Sequence, residues 1–147
     1  MNYGMIVYIL GTILKAEAIL MSLPALVAFL CGEGDLVPML AAILIASGAG
    51  LLFTFKKPKN TVIYAKEGFV VTALSWVVMS LVGALPFVFA GAIPSYIDAV
   101  FETVSGFTTT GASILTDVEG MSRGLLFWRS FTHWVGGMGV LVFLLAI

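Results

Sequence analysis

The chain has 147 residues, of which 61% are apolar and only 10% are charged, and its mean hydropathy is +1.12. A soluble domain is nearer half apolar and a quarter charged, so this composition excludes an ordinary water-soluble globule and predicts a protein embedded in lipid. The net charge of −1 excludes a basic surface for nucleic acid. The single cysteine, Cys31, excludes an intramolecular disulfide and a cysteine-based metal site.

Four long apolar segments are candidates for membrane-spanning helices. Residues 36–55, 68–94 and 130–147 carry no charge, and a hydrocarbon core of about 30 Å needs about 20 helical residues. The last segment is long enough when residues 125–129 extend it. Residues 3–31 are also apolar but contain Lys15 and Glu17. We interpret them as a span rather than a cleaved signal peptide, because no basic region precedes the apolar run.

The lysines predict the orientation of these spans. The loop between the first two spans has only Glu33 and Asp35, whereas the chain between the second and third spans has four lysines. By the positive-inside rule the lysine loop is cytoplasmic, and so is the N-terminus. The four lysines are Lys56, Lys57, Lys59 and Lys66.

Residues 95–123 then begin and end on the outer side. Ser95 followed by Asp98 is typical of a helix N-cap, and apolar residues recur at helical spacing over residues 96–107. A helix of about 12 residues is too short to cross the hydrocarbon core. We therefore expect a re-entrant helix that ends against protein or water. Its apolar stripe consists of Ile97, Val100, Phe101, Val104 and Phe107.

The segment after this helix has the composition of a cation filter. Residues 108–113 read Thr-Thr-Thr-Gly-Ala-Ser. A dehydrated K⁺ needs several oxygens of modest field strength, which consecutive backbone carbonyls can supply, and glycine permits the backbone angles that turn them to one side. On the motif alone, an ordinary turn remains the alternative. The position between two predicted spans favours the filter.

Two charges and three glycines accompany this segment. Glu102 and Arg129 are predicted at similar depths, and we expect them to pair behind the filter; the alternative is that each reaches the outer headgroup region separately. Gly136, Gly137 and Gly139 in the last span predict either close helix packing or a hinge.

Residues 101–113, 126–129 and 134–139 together resemble the first pore repeat of the bacterial Trk/Ktr potassium-uptake family, most closely its TrkH/TrkG branch. The resemblance implies an all-α membrane protein. It would have four transmembrane helices plus one re-entrant pore helix and an extended filter strand. Residues 1–60 would form a two-helix N-terminal hairpin, and residues 61–147 the first of four fused helix–pore-helix–helix repeats around one pore.

The resemblance also implies site residues. Thr109, Thr110, Gly111 and Ala112 match the filter, with K⁺ at Thr110 and Gly111. Filter support is expected from Thr108 and Ser113 together with the Glu102–Arg129 pair. One glycine stands where simple K⁺ channels have two, so some Na⁺ permeation is expected.

The predicted function is potassium uptake across the bacterial cytoplasmic membrane by the pore-forming subunit of a Trk-type transporter, not enzymatic catalysis. K⁺ is the transported ion, and no organic cofactor is expected. The implied partners are membrane lipid, a second full-length subunit in a homodimer, and a cytoplasmic nucleotide-binding regulatory subunit. The alternatives are a short homo-oligomeric cation channel subunit and a non-transporting membrane scaffold. Because no polar residue follows the last span, we expect the chain to be truncated.

Overall fold

The structure is a computed structural model that describes residues 2–58 and 64–146, with side chains described as far as Gly139. Within these ranges the chain forms helices and irregular segments, without a β-strand. The helices at residues 3–31 and 96–107 have the bounds that the sequence predicted. The helices in chain order are α1 (Tyr3–Cys31), α2 (Leu36–Thr54), α3 (Ala65–Gly83), α4 (Leu85–Phe89), α5 (Tyr96–Phe107) and α6 (Arg123–Ala146).

Three of the described helical stretches are long and apolar enough to cross a membrane: α1, α2, and α3 together with α4 over Ala65–Phe89. α3 gives way to α4 at Ala84, and Pro86 lies in the first turn of α4. α6 has 24 residues, a length of about 36 Å. The all-helical membrane fold is confirmed, and the crossing of the membrane by α6 stays a prediction.

Glycines bring α1 and α2 together as a tight hairpin. A Cβ added to Gly11 would lie 2.6 Å from the Cβ of Phe53, and one added to Gly50 would lie 2.9 Å from the carbonyl oxygen of Gly11. Side chains at these positions would push the two backbones apart. Small residues at a helix crossing allow the close approach through which membrane helices associate.

Contacts at the helix ends define the two ends of the bundle. The backbone N–H of Asn2 donates to Glu67 at 2.5 Å, so α1 and α3 start at the same end. The N–H of Gly124 donates to the Glu33 carboxylate at 3.2 Å, so α6 starts where α1 finishes. The segment between α4 and α6 therefore leaves and rejoins the bundle at one end, as the sequence predicted for residues 95–123.

The core of the bundle holds the C-terminal end of α5. Phe107 is fully buried, with its ring centroid 6.4 Å from that of Trp128 and 6.5 Å from that of Trp76. The indole N–H of Trp128 donates to the carbonyl of Gly83 at 2.9 Å. Aromatic rings from α3 and α6 thus fix the point at which α5 ends.

The buried side of α5 includes polar residues, and much of its apolar stripe is exposed. Ile97, Phe101 and Val104 are exposed, whereas Glu102 and Thr103 are buried. The Thr103 hydroxyl donates to the carbonyl of Ser80 on α3 at 2.8 Å, and Glu102 is held by polar partners. Polar side chains with hydrogen-bond partners gain more from protein burial than apolar ones, which lipid also accepts.

Some of the sequence predictions fall outside the described residues. Lys59, the predicted boundary between residues 60 and 61, and Ile147 all lie there. The division into two domains consequently stays a prediction.

Candidate functional site

The predicted cap starts α5. The Ser95 hydroxyl accepts a hydrogen bond from the N–H of Asp98 at 3.4 Å, which confirms Ser95 as the N-cap. The Tyr96 hydroxyl donates to the carbonyl of Leu81 at 2.8 Å and ties the first turn of α5 to α3. Burial raises the pKa of Tyr96, so this hydroxyl remains a donor at neutral pH.

α5 ends in a Schellman motif. The N–H of Thr110 donates to the carbonyl of Ser105, and the N–H of Thr109 donates to the carbonyl of Gly106, both at 2.9 Å. These bonds satisfy two carbonyls that the helix end would otherwise leave unpaired. The residue with left-handed φ in this motif is usually glycine, but here it is Thr109, at φ 56°.

The segment predicted as an extended filter strand is irregular backbone. Thr109 and Gly111 both have positive φ, 56° and 78°, and such angles interrupt an extended conformation. Glycine adopts this region freely, whereas a β-branched residue is strained there by about 1–3 kcal/mol. The strain lies within the residues that the sequence singled out as the filter.

Hydroxyl groups hold residues 108–113 against α5 through hydrogen bonds. Thr108 donates to the carbonyl of Val104 at 2.7 Å, and its hydroxyl lies 2.8 Å from that of Thr110. The Ser105 hydroxyl, from within α5, donates to the carbonyl of Ala112 at 2.5 Å. The side chains of residues 108–113 are exposed. The segment is thus anchored to the helix behind it and open on its other side.

Glu102 links α5, α6 and the chain after the filter segment. This carboxylate is 1% exposed and accepts from Arg129 Nε at 2.5 Å. It also accepts from the Ser113 hydroxyl, at 3.1 and 3.0 Å, and from the N–H of Ile114 at 3.1 Å. Glu102 and Arg129 thus form an ion pair in the structure, and their role as filter support stays a prediction.

Sequence reasoning missed part of this arrangement. The bond from Ser105 to the Ala112 carbonyl and the bond from the N–H of Ile114 to Glu102 were not predicted, because neither bond has a sequence signature. Thr132 is buried and donates to the carbonyl of Arg129 at 2.6 Å, and His133 Nδ1 lies 3.0 Å from the same oxygen.

Two of the three glycines of α6 lie at close contacts. A Cβ on Gly136 would meet the backbone of Phe107, with the carbonyl carbon at 2.7 Å and the Cα at 2.9 Å. A Cβ on Gly139 would lie 3.0 Å from the Trp76 ring. At Gly137 the nearest atom, a methyl of Thr109, would lie at 3.9 Å. These contacts favour close packing for Gly136 and Gly139 over the hinge alternative.

Several known proteins are similar to this chain in sequence and in fold. The TrkH family, described as a cation transport protein, matches residues 39–147. The Trk system potassium uptake protein TrkH of Halomonas elongata is 36% identical, over 100% of this chain and 31% of that protein. The Escherichia coli protein of the same name is 35% identical, with the same two coverages. The chain therefore spans about a third of the length of these curated relatives.

A solved structure of a TrkH protein has the same fold as this chain. The crystal structure of the potassium transporter TrkH from Vibrio parahaemolyticus superposes with a TM-score of 0.91 at 34% identity. The match covers 99% of this chain and 32% of that one. The sequence identity and the superposition extend over nearly the whole chain, the family match covers residues 39–147, and the apolar helices suit a multi-pass membrane protein. The chain therefore belongs to the TrkH family of cation transport proteins.

Proposed function

We propose that this chain forms part of the pore of a Trk-type potassium-uptake protein in the bacterial cytoplasmic membrane. K⁺ passes the exposed side of residues 109–112, where backbone carbonyls replace water in its first shell. Thr110 and Gly111 bind the ion at the narrowest point. The names of the Halomonas and Escherichia relatives, both potassium uptake proteins, support K⁺ as the transported ion.

One observation carries this proposal. The buried Glu102 carboxylate holds Arg129 of α6 on one side and Ser113 and Ile114 on the other. The chain on both sides of Gly111 is thereby fixed: α5 holds it before the glycine, and Glu102 holds it after. A carbonyl ligand set needs this support, since displacements of less than an ångström change the field that the ion meets.

The Ala112 carbonyl differs from its neighbours because it already accepts a side-chain hydrogen bond. It accepts the hydroxyl of Ser105 at 2.5 Å, which leaves one lone pair for an ion. Ser105 consequently fixes the position of the Ala112 carbonyl, the last of the carbonyls of residues 109–112. Thr108 has a supporting role, because its hydroxyl bonds back to α5 and reaches Thr110.

Two features of the architecture belong to the proposal. α6 is the fourth span, and α5 is a re-entrant pore helix that enters from the outer side and ends at Phe107 in the core of the bundle. This topology is supported by the contact between Gly124 and Glu33, which shows that α6 begins at the end of the bundle where α1 ends. A homodimer of full-length subunits and a cytoplasmic nucleotide-binding subunit complete the proposed assembly, on the strength of the family resemblance alone.

Growth at low K⁺ tests the proposal. The complete product of the gene is expressed in a bacterial strain that lacks its own potassium uptake, and we expect it to restore growth at micromolar K⁺. Gly111→Ser should abolish the rescue. Gly91→Ser is the matched control, because Gly91 has a similar φ of 72° and open space around it but lies outside the filter. Loss of rescue with both variants, or with neither, contradicts the filter assignment.

A further inference from the structure

A carboxyl group lies unpaired in the interior of the bundle. Glu17, in the middle of α1, is 1% exposed, and neither of its two carboxyl oxygens has a hydrogen-bond partner among the described residues. Buried polar groups in folded proteins are almost always satisfied, and a buried charge is almost always paired. Glu102, equally buried, accepts hydrogen bonds from three donors, Arg129, Ser113 and Ile114, and shows how this fold satisfies a buried carboxyl group.

The surroundings of Glu17 are apolar. The position that a Cβ would take on Gly83 lies 3.1 Å from Glu17 Oε1, 3.1 Å from the Phe107 ring and 3.5 Å from the Trp128 ring. The carboxyl group thus lies against a glycine of α3 and the two rings that fix the end of α5. These neighbours present carbon atoms, whereas a bound K⁺ or Na⁺ would need several oxygens.

The charged groups on the helices packed around Glu17 have other positions or partners. Lys15, two positions away on α1, packs the aliphatic part of its side chain against Gly50 of α2.

The remaining charged residues lie on α3, α5 and α6. On α3, Lys66 and Glu67 belong to the first turn, at the opposite end from Gly83. On α5 and α6, Glu102 and Arg129 bond to each other, and His133 lies against the Arg129 carbonyl. Asp98 and Arg123 lie at the helix starts, and α2 and α4 contain no titratable residue.

We propose that Glu17 is a proton-binding site. A carboxylate at this position would have no cationic side chain among the described residues to compensate its charge, so the group takes a proton from hydronium, which becomes water, and the new O–H bond leaves a neutral acid. The neutral acid tolerates the apolar neighbours far better than the ion does.

The proton has a structural consequence. As the neutral acid, Glu17 lets α1 pack against Gly83 and the rings of Phe107 and Trp128. Loss of the proton forces water into this contact or moves α1 away from it. Since Phe107 ends α5 immediately before the filter segment, the protonation state of Glu17 acts on the helix that carries that segment. The proton site itself does not depend on the proposed transport function.

Infrared spectroscopy tests the site directly. The complete gene product, with isotope-labelled glutamate and in lipid nanodiscs, should show at neutral pH a C=O stretch of a neutral carboxylic acid that comes from Glu17. Glu17→Gln should remove this band. The exposed Glu119 provides the matched control, and Glu119→Gln should leave the band in place. Absence of a neutral-acid band in the wild type at neutral pH, or its survival in Glu17→Gln, overturns the proposal.

Stability against pH is the second readout. The wild type should lose thermal stability as pH rises above about 4.3, the ordinary pKa of glutamate, because only the folded state keeps this proton and the neutral acid is required for packing. Glu17→Gln, a neutral group of the same shape, should show a smaller loss over the same range. Identical pH profiles for the two proteins overturn the proposal. If Glu17→Gln does not fold, the wild-type spectrum decides alone, and neither readout depends on ion transport.

Discussion

At the scale of single residues, Glu102 determines how the candidate filter is held. Its carboxylate accepts hydrogen bonds from Arg129, Ser113 and Ile114. Removing one of these partners therefore changes the position of the carboxylate to which the other two are bonded. The sequence predicted the pair with Arg129 from the similar depths of the two charges. It could not predict the bonds from Ser113 and Ile114, because these depend on how the chain turns after Gly111.

A double-mutant cycle measures the coupling of this pair. Arg129→Gln leaves a buried carboxylate without its cation, and breaking a buried pair in this way costs about 3–5 kcal/mol. We expect Glu102→Gln combined with Arg129→Gln to cost clearly less than the sum of the two single changes. The free energy of unfolding in detergent gives all four values. Additive losses would show that the pair does not act as a unit.

At the scale of elements, the contact between α5 and α6 depends on glycine. Gly106 of α5 lies against Thr132, and Gly136 of α6 lies against the backbone of Phe107. The sequence indicated the glycines of α6 but left packing and hinge open. The structure distinguishes them by position, since Gly136 and Gly139 have close neighbours and Gly137 does not.

Gly136→Ala tests this contact. The added methyl group would run into the Phe107 backbone, which cannot move without displacing the end of α5, so we expect a loss of stability of about 1–3 kcal/mol. Gly137→Ala, one position along the same helix, should be neutral or stabilising, because alanine favours a helix by up to about 1 kcal/mol over glycine. Equal effects of the two substitutions on thermal unfolding would argue against a packing role.

The helices differed in how well the sequence predicted them. A long apolar run and a serine cap were enough for the bounds of α1 and α5, because length and capping are local properties. The apolar spacing of residues 96–107 predicted a helix but not its buried side, and Ile97 and Phe101 are exposed. In a lipid solvent an apolar stripe does not identify the buried side, and polar partners such as Ser80 for Thr103 are distant in sequence.

At the scale of the whole molecule, the orientation in the membrane rests on the lysine loop. The contacts of Asn2 with Glu67 and of Glu33 with Gly124 define two ends of the bundle but not which end faces the cytoplasm. Charge alone decides that assignment, through the positive-inside rule. Lys56 and Lys57 lie within the described residues and Lys59 outside them.

The single cysteine makes the orientation testable without engineering. Cys31 is exposed at the end of α1 that we assign to the outside. A membrane-impermeant thiol reagent added to intact cells should label it, and Cys31→Ser should abolish the label. With Cys31 replaced by serine, Lys57→Cys should introduce a label only after the cells are made permeable. Labelling in the reverse order would invert the topology and place the candidate filter on the cytoplasmic side.

The central claim is that the carbonyls around Gly111 select the ion. The most direct measurement is the ratio of K⁺ to Na⁺ uptake by the complete gene product, reconstituted in vesicles, for the wild type, Gly111→Ser and the control Gly91→Ser. A side chain at φ 78° is strained and displaces the carbonyls on either side. We predict that Gly111→Ser lowers the ratio at least tenfold, about 1.4 kcal/mol of lost discrimination, and that Gly91→Ser leaves it unchanged. An unchanged ratio in Gly111→Ser, with uptake retained, would contradict the assignment of this segment as the filter.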